Sequence, residues 1–192
     1  MLVELFKHCL WQSKFECDLI RYSYDVERNN ESVYKSNKGG FQSDFLDQSQ
    51  EVLHPLINHI QEETAKYSKT AFNIDKQYRI GSMWLNINRN KDYNLVHTHP
   101  HCDFSGVYYI STPKDCGMLS FENPYKDGME SHWLNVERPV EEYNLINSHT
   151  IKVIPTRYRC YIFPSYFKHS VEPNMSKEDR ISISFNLTPV NL

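Results

Sequence analysis

The chain is expected to fold as a mainly β protein, with helices near the N-terminus supporting a double-sheet jelly roll. Three observations carry this expectation. From Tyr78 onward, short segments rich in Val, Ile, Tyr, Phe and Trp alternate with turn residues, the pattern of strands. Ahead of them, Leu53, Leu56, Ile57 and Ile60 recur at helical spacing. Near the end, Arg180, Ser182, Ser184 and Asn186 fall on one face of a strand and Ile181, Ile183, Phe185 and Leu187 on the other. With 192 residues, 40% hydrophobic and 14% aromatic, the chain can bury one sizeable core. Residues 1–192 are therefore read as a single domain, a helical support region over 1–77 and a jelly-roll core over 78–192.

Residues 1–40 mix apolar residues with polar clusters and end in the loop signal Lys35-Ser36-Asn37-Lys38-Gly39-Gly40. A helix follows, with Ser43 or Asp44 able to cap its start and the Leu53 to Ile60 stripe facing a core. Pro55 lies inside that stripe and predicts a kink or a junction of two helices. Strands are expected over 78–89, 93–99, 104–111, 117–122, 150–154, 158–163 and 180–187. Residues 125–149 have weak periodicity and mixed charge, and read as a long loop or lid with room for one short strand. By position, this segment and Trp133 are candidates to cover a substrate.

Composition excludes several classes of partner. A net charge of −3 leaves no positive excess to neutralise a phosphate backbone, so neither nucleic acid nor an anionic membrane is expected. Glu4 and Lys7 interrupt the first apolar residues, and no apolar run is long enough to span a bilayer. The expected location is the cytoplasm. Five cysteines at irregular spacing make a disulfide framework improbable. Oligomeric state is not encoded in any pattern we recognise.

The chemistry concentrates in Asn94-Leu95-Val96-His97-Thr98-His99-Pro100 and in Phe163-Pro164-Ser165 with His169. In an extended strand His97 and His99 point to one face, and a distant third histidine, His169, closes a metal site. His8, His54, His59, His132 and His149 keep the ordinary reading of hydrogen-bonded surface or core residues. Cys102 offers a zinc alternative with His97 and His99, weakened because no second cysteine follows at ligand spacing. If His169 ends one strand and Arg180 begins its antiparallel neighbour, the guanidinium points into the same cavity. There it can grip a carboxylate, with the Ser182 hydroxyl on the same face. Asn86 and Tyr109 are candidates to line that cavity.

Taken in order, Ser36-Asn37-Lys38-Gly39-Gly40-Phe41-Gln42-Ser43, Trp84 to Asn88, Asn94 to Pro100, Ser105-Gly106-Val107-Tyr108-Tyr109, Phe121-Glu122-Asn123-Pro124, Phe163-Pro164-Ser165 with His169, and Arg180 to Asn186 resemble a little-characterised group of Fe(II)/2-oxoglutarate-dependent oxygenases. The resemblance runs from about residue 36 to 187. It implies a cupin-like double-stranded β-helix, ferrous iron, 2-oxoglutarate and O₂. It also implies hydroxylation of a small molecule or peptide with release of succinate and CO₂. Within it, Arg180 and Ser182 would meet the C5 carboxylate of 2-oxoglutarate. The chain departs from the wider superfamily at one ligand, since His97-x-His99 stands where His-x-Asp/Glu is usual. A three-histidine site with His169 is the favoured resolution, with Asp103 and then Glu122 as carboxylate alternatives. Two other functions compete. A cupin-like metal enzyme that does not use 2-oxoglutarate would have no need of Arg180-x-Ser182, and a non-catalytic β-sandwich interaction module would bind no stoichiometric Fe(II).

Overall fold

The structure is a computed structural model that describes residues 8–133 and 142–190. The chain runs through β1 (Trp11–Lys14), α1 (Ile20–Asn29), β2 (Asn37–Lys38), β3 (Phe41–Gln42) and a 3₁₀ turn (Glu51–Leu53) into α2 (His54–Phe72). It continues through β4 (Tyr78–Asn88), β5 (Tyr93–His97), β6 (Phe104–Ser111), β7 (Leu119–Glu122), α3 (Lys126–Trp133), β8 (Thr150–Val153), β9 (Arg159–Pro164), β10 (His169–Val171) and β11 (Arg180–Pro189). The larger sheet has the order β1-β9-β6-β11-β4-β3, the smaller β2-β5-β10-β7-β8. All pairings are antiparallel, and the two sheets form a double-stranded β-helix.

The alternation of β11 explains how the layers stack. Ile181, Ile183, Phe185 and Leu187 are buried with Leu85 and Ile87 of β4 and with Leu53, Leu56, Ile57, Ile60 and Tyr67 of the helical layer. That apolar face holds the helices against the larger sheet. The opposite face, Arg180, Ser182, Ser184 and Asn186, lines a cavity between the sheets. In register, Arg180 pairs with Asn88, Ser182 with Asn86 and Ser184 with Trp84. A smaller apolar cluster of Val107, Tyr109, Leu119, Phe121, Tyr161 and Phe163 closes the sheets on each other, with the Phe121 and Phe163 rings 4.9 Å apart.

Several expectations are corrected. The helix begins at His54 rather than after Ser43 or Asp44; at Pro55 the expected junction of two helical segments is found in place of a kink, since the 3₁₀ turn ends at Leu53 and Pro55 sits in the first turn of α2, where no intrahelical donor is lost. Residues 1–77 are not only helical, since β1 and β3 extend the larger sheet and β2 the smaller. The Gly39-Gly40 turn, with φ of 73° and 68°, carries the chain from β2 in one sheet to β3 in the other. A Cβ on Gly40 would stand 2.5 Å from the Ile87 carbonyl oxygen, so a larger residue there is excluded by space as well as by φ. Within 125–149, Lys126–Trp133 form α3 while 142–149 are turns and irregular chain, and no strand lies among the described residues of that segment. The side chain of Trp133 and residues 134–141 of the expected lid lie outside the described residues. No helix among the described residues is long and apolar enough to cross a membrane.

Candidate active site

Strands β5 and β10 are neighbours, and His97 and His169 are Cα partners across them. Directly opposed residues project to one face, so these two rings meet with centroids 4.4 Å apart. His99 lies just beyond the end of β5, so the expected strand over 93–99 stops two residues short of it. The turn after β9 holds it in place instead. The His99 N–H donates to the Ser165 carbonyl (3.0 Å), the Ser165 N–H donates to the Asp103 carbonyl (3.0 Å), and the Ser165 hydroxyl donates to the Cys102 carbonyl. The His99 ring then stands 4.9 Å from His97 and 5.0 Å from His169.

One ligand nitrogen from each ring lies within 4.8 Å of the others. The Nε2 atoms of His99 and His169 are 3.3 Å apart. Nδ1 of His97 faces the Leu95 carbonyl at 2.7 Å and Nδ1 of His169 the Phe167 carbonyl at 2.8 Å. Donation from those Nδ1–H groups leaves the Nε2 lone pairs turned toward a common point. Burial, followed by the neighbouring His97 and His99, lowers the His169 pKa to about 3. Burial and then His97 lower that of His99 to about 4, and burial lowers that of His97. Three neutral imidazoles aimed together, two of them with facing lone pairs, suit a divalent cation and fit ferrous iron.

Among the described residues no carboxylate joins this cluster. Asp103 takes part through its backbone, its N–H donating to the Leu187 carbonyl. Glu122 lies in β7 opposite Thr150 and lines a separate cleft with Lys126 and Lys168. Cys102 also stays outside the cluster, its thiol donating to the His99 carbonyl at 3.3 Å.

The cavity beside the histidines has a volume of about 440 Å³. Arg180 is 1% exposed on its wall, and Nη1 donates to the carbonyls of Cys116 and Glu172 while Nη2 has no partner among the described residues. Burial lowers its pKa, the sign of a cation short of solvation. The Tyr109 hydroxyl is likewise buried without a partner among the described residues, and burial raises its pKa. Ser182 and Asn86 line the same cavity, Asn86 donating through Nδ2 to Ser184 Oγ at 3.1 Å. These two donors, one of them on a buried cation, form a cradle suited to a carboxylate. Sequence reasoning missed the contribution of residues 33–45, where Val33, Lys35, Gln42, Asp44 and Phe45 line the cavity. The paired glycines of the turn and the resemblance over Ser36 to Ser43 marked this stretch without pointing to a cavity.

A model of a 2OG-Fe(II) oxygenase family matches residues 82–186, more than half of the chain. No curated protein sequence matches. Among solved structures, the chain is similar to a prolyl-4-hydroxylase from Pseudomonas putida, at 14% identity over 96% of this chain and 94% of that one, with a TM-score of 0.64. It is also similar to HygX from Streptomyces hygroscopicus, solved with nickel and 2-oxoglutarate bound, at 9% identity over 95% and 84% of the two chains and a TM-score of 0.64. A third is SnoN, a non-heme α-ketoglutarate-dependent epimerase from nogalamycin biosynthesis, at 15% identity over 88% and 71% and a TM-score of 0.61. At such identities these structures speak for the fold.

Proposed function

The chain belongs to the 2-oxoglutarate- and Fe(II)-dependent oxygenases, and from that membership we propose which of its residues do the work. His97, His99 and His169 hold the iron. Arg180, with Ser182 and Tyr109, anchors the remote carboxylate of 2-oxoglutarate, and Asn86 lines the cosubstrate's side of the cavity. The reaction is hydroxylation of a small molecule or a peptide side chain. The observation that carries this reading is the buried guanidinium, whose Nη2 has no partner among the described residues, in the cavity that also holds the three imidazoles.

When bound, iron, 2-oxoglutarate and O₂ supply oxidative decarboxylation to succinate and CO₂, coupled to oxidation of the substrate. The protein's part is positional and electrostatic. The imidazoles, kept neutral by burial, present nitrogen lone pairs without first losing protons. Arg180 and Tyr109 donate hydrogen bonds from positions where water is excluded, which strengthens each of them. Val107, Leu119 and Phe163 give the cavity an apolar inner wall. Residues 1–192 act as one domain in this reading. Five free cysteines favour a reducing compartment such as the cytoplasm.

The test is anaerobic addition of Fe(II) and 2-oxoglutarate, followed by the visible charge-transfer band of their complex and by the iron bound per chain. One iron and a band are expected in the wild type, with both lost in His169→Ala. A well-folded wild type without the band refutes the reading.

A further inference from the structure

The backbone after β3 forms a bulge beside the cavity. Gln42 pairs with Asn86, the Ser43 N–H donates to the Leu85 carbonyl (3.0 Å) and the Leu46 N–H to the Met83 carbonyl (2.8 Å). Two residues, Asp44 and Phe45, therefore stand opposite Trp84 alone, which is the count of a β-bulge. Side chains lock it. The Ser43 hydroxyl accepts from the Leu85 N–H (2.9 Å) and donates to the Asp44 carbonyl (2.6 Å), and the Asp44 carboxylate accepts from the Phe45 N–H (2.8 Å). Ser43 and Leu46 are buried on either side.

The bulge turns Phe45 outward, 69% exposed, while keeping it on the cavity wall. Its ring centroid is 6.4 Å from that of Trp84, and Trp84 is 5.7 Å from His99. A row of rings thus leads from solvent to the histidine cluster. An exposed phenyl ring adds little to the fold, yet the backbone that carries this one is held by five hydrogen bonds. Its apolar face is free to be covered by something that enters the cavity. Charge does not favour a cation as that occupant, because Lys35 lines the same cavity as Asp44. The Gln42 side chain, in a residue 6% exposed, also lines it and makes no hydrogen bond among the described residues.

Resting on the reading of His97, His99 and His169 as the metal centre, we propose that Phe45 and Trp84 form the substrate-positioning shelf. The substrate is then a molecule or peptide side chain with a flat aromatic ring, stacked on these residues, with a polar group paired to Gln42. A ring–ring contact adds to simple apolar burial, so an aromatic probe should bind about three- to tenfold tighter than an aliphatic one.

The experiment uses the whole chain loaded anaerobically with Fe(II) and 2-oxoglutarate and titrated with N-acetyl-tyrosinamide or N-acetyl-leucinamide. Quenching of tryptophan fluorescence and displacement of the charge-transfer band are both read. Wild type should bind the tyrosine probe more tightly, with the band displaced as it binds. Phe45→Leu keeps apolar bulk at an exposed position, so its thermal midpoint should match wild type while the preference for the aromatic probe disappears. Equal affinity of the two probes for wild type, or a preference surviving in both Phe45→Leu and Trp84→Leu, overturns the shelf. Absence of the band in wild type overturns the metal and 2-oxoglutarate reading instead, and fluorescence still decides whether the shelf prefers rings.

Discussion

Replacing Arg180 by Met separates the fold's use of this side chain from its proposed use as the cosubstrate anchor. The guanidinium donates to two backbone carbonyls, and Nη2 has no partner among the described residues. Its removal forfeits two charge-assisted hydrogen bonds of about 1.5 to 3 kcal/mol each. It also relieves the desolvation of a buried cation, a penalty of several kcal/mol. These nearly cancel, so the stability of ligand-free Arg180→Met should stay within about 2 kcal/mol of wild type. Binding has no such offset. Loss of a buried charged partner costs about 2 to 5 kcal/mol, which raises the Kd for 2-oxoglutarate about 30- to 5000-fold. The assay is anaerobic thermal unfolding of the Fe(II)-loaded protein with and without 2-oxoglutarate at 100 times the wild-type Kd. Wild type gains about 2.7 kcal/mol and a variant weakened 30-fold gains about 0.9. For a chain of this size the shift in Tm then falls from about 5–11 °C to about 2–4 °C. A variant that keeps the full shift shows that the carboxylate anchor lies elsewhere.

Three further outcomes follow from the same geometry. His169→Ala removes one of three converging nitrogens and should weaken Fe(II) binding by more than about 100-fold, beyond the usual effect of losing only an outer partner; metal analysis after gel filtration checks it. The histidine pKa values set a pH window: above about 6.5 the imidazoles are neutral in both states and contribute nothing. As pH falls from there toward the folded values near 4 and 3, the unfolded chain takes up protons that the fold refuses, so the metal-free protein loses stability. Urea midpoints across that window should fall steadily, and a flat profile contradicts the depressed values. Gly117→Ala forces a Cβ to 2.4 Å from the Glu172 carbonyl oxygen at a φ of 81°. It should cost about 2 kcal/mol or more. Because Glu172 is an acceptor for Arg180, 2-oxoglutarate affinity should drop with it while Fe(II) affinity holds.

Long strands with strict alternation were legible because period two and half-burial write themselves into residue type. The face of β11 that carries Arg180 and Ser182 follows directly from that rule. Strands β2 and β3 are two residues each, too short to show any period, and β10 is only three. Their places depend on pairing with distant partners, such as His169 with His97, which local pattern does not record. Pro55 was half legible for a related reason. The apolar stripe starts at Leu53, the last residue of the 3₁₀ turn and the one just before the helix, so Pro55 marked the junction although it looked interior. The carboxylate alternatives were open from spacing alone, because Asp103 is near His99 in sequence. Only the tie between Asp103 and Ser165 shows the loop using its backbone.

The histidine at position 99 also makes sense in energetic terms. Its ring lies at a tilt of 29° to His169 and is 5.7 Å from Trp84, in a setting that lowers its pKa to about 4. A carboxylate in that setting would be ionised and poorly solvated whenever the metal was absent, or would hold a proton that the metal must displace. A neutral imidazole avoids both costs. The fold therefore accommodates three imidazoles packed ring against ring, while among the described residues the buried Arg180 keeps a donor without a partner. If the three histidines hold the metal as proposed, none of them is anionic and a divalent ion would keep its full charge there. That charge and the guanidinium together favour a dianionic cosubstrate over a neutral one.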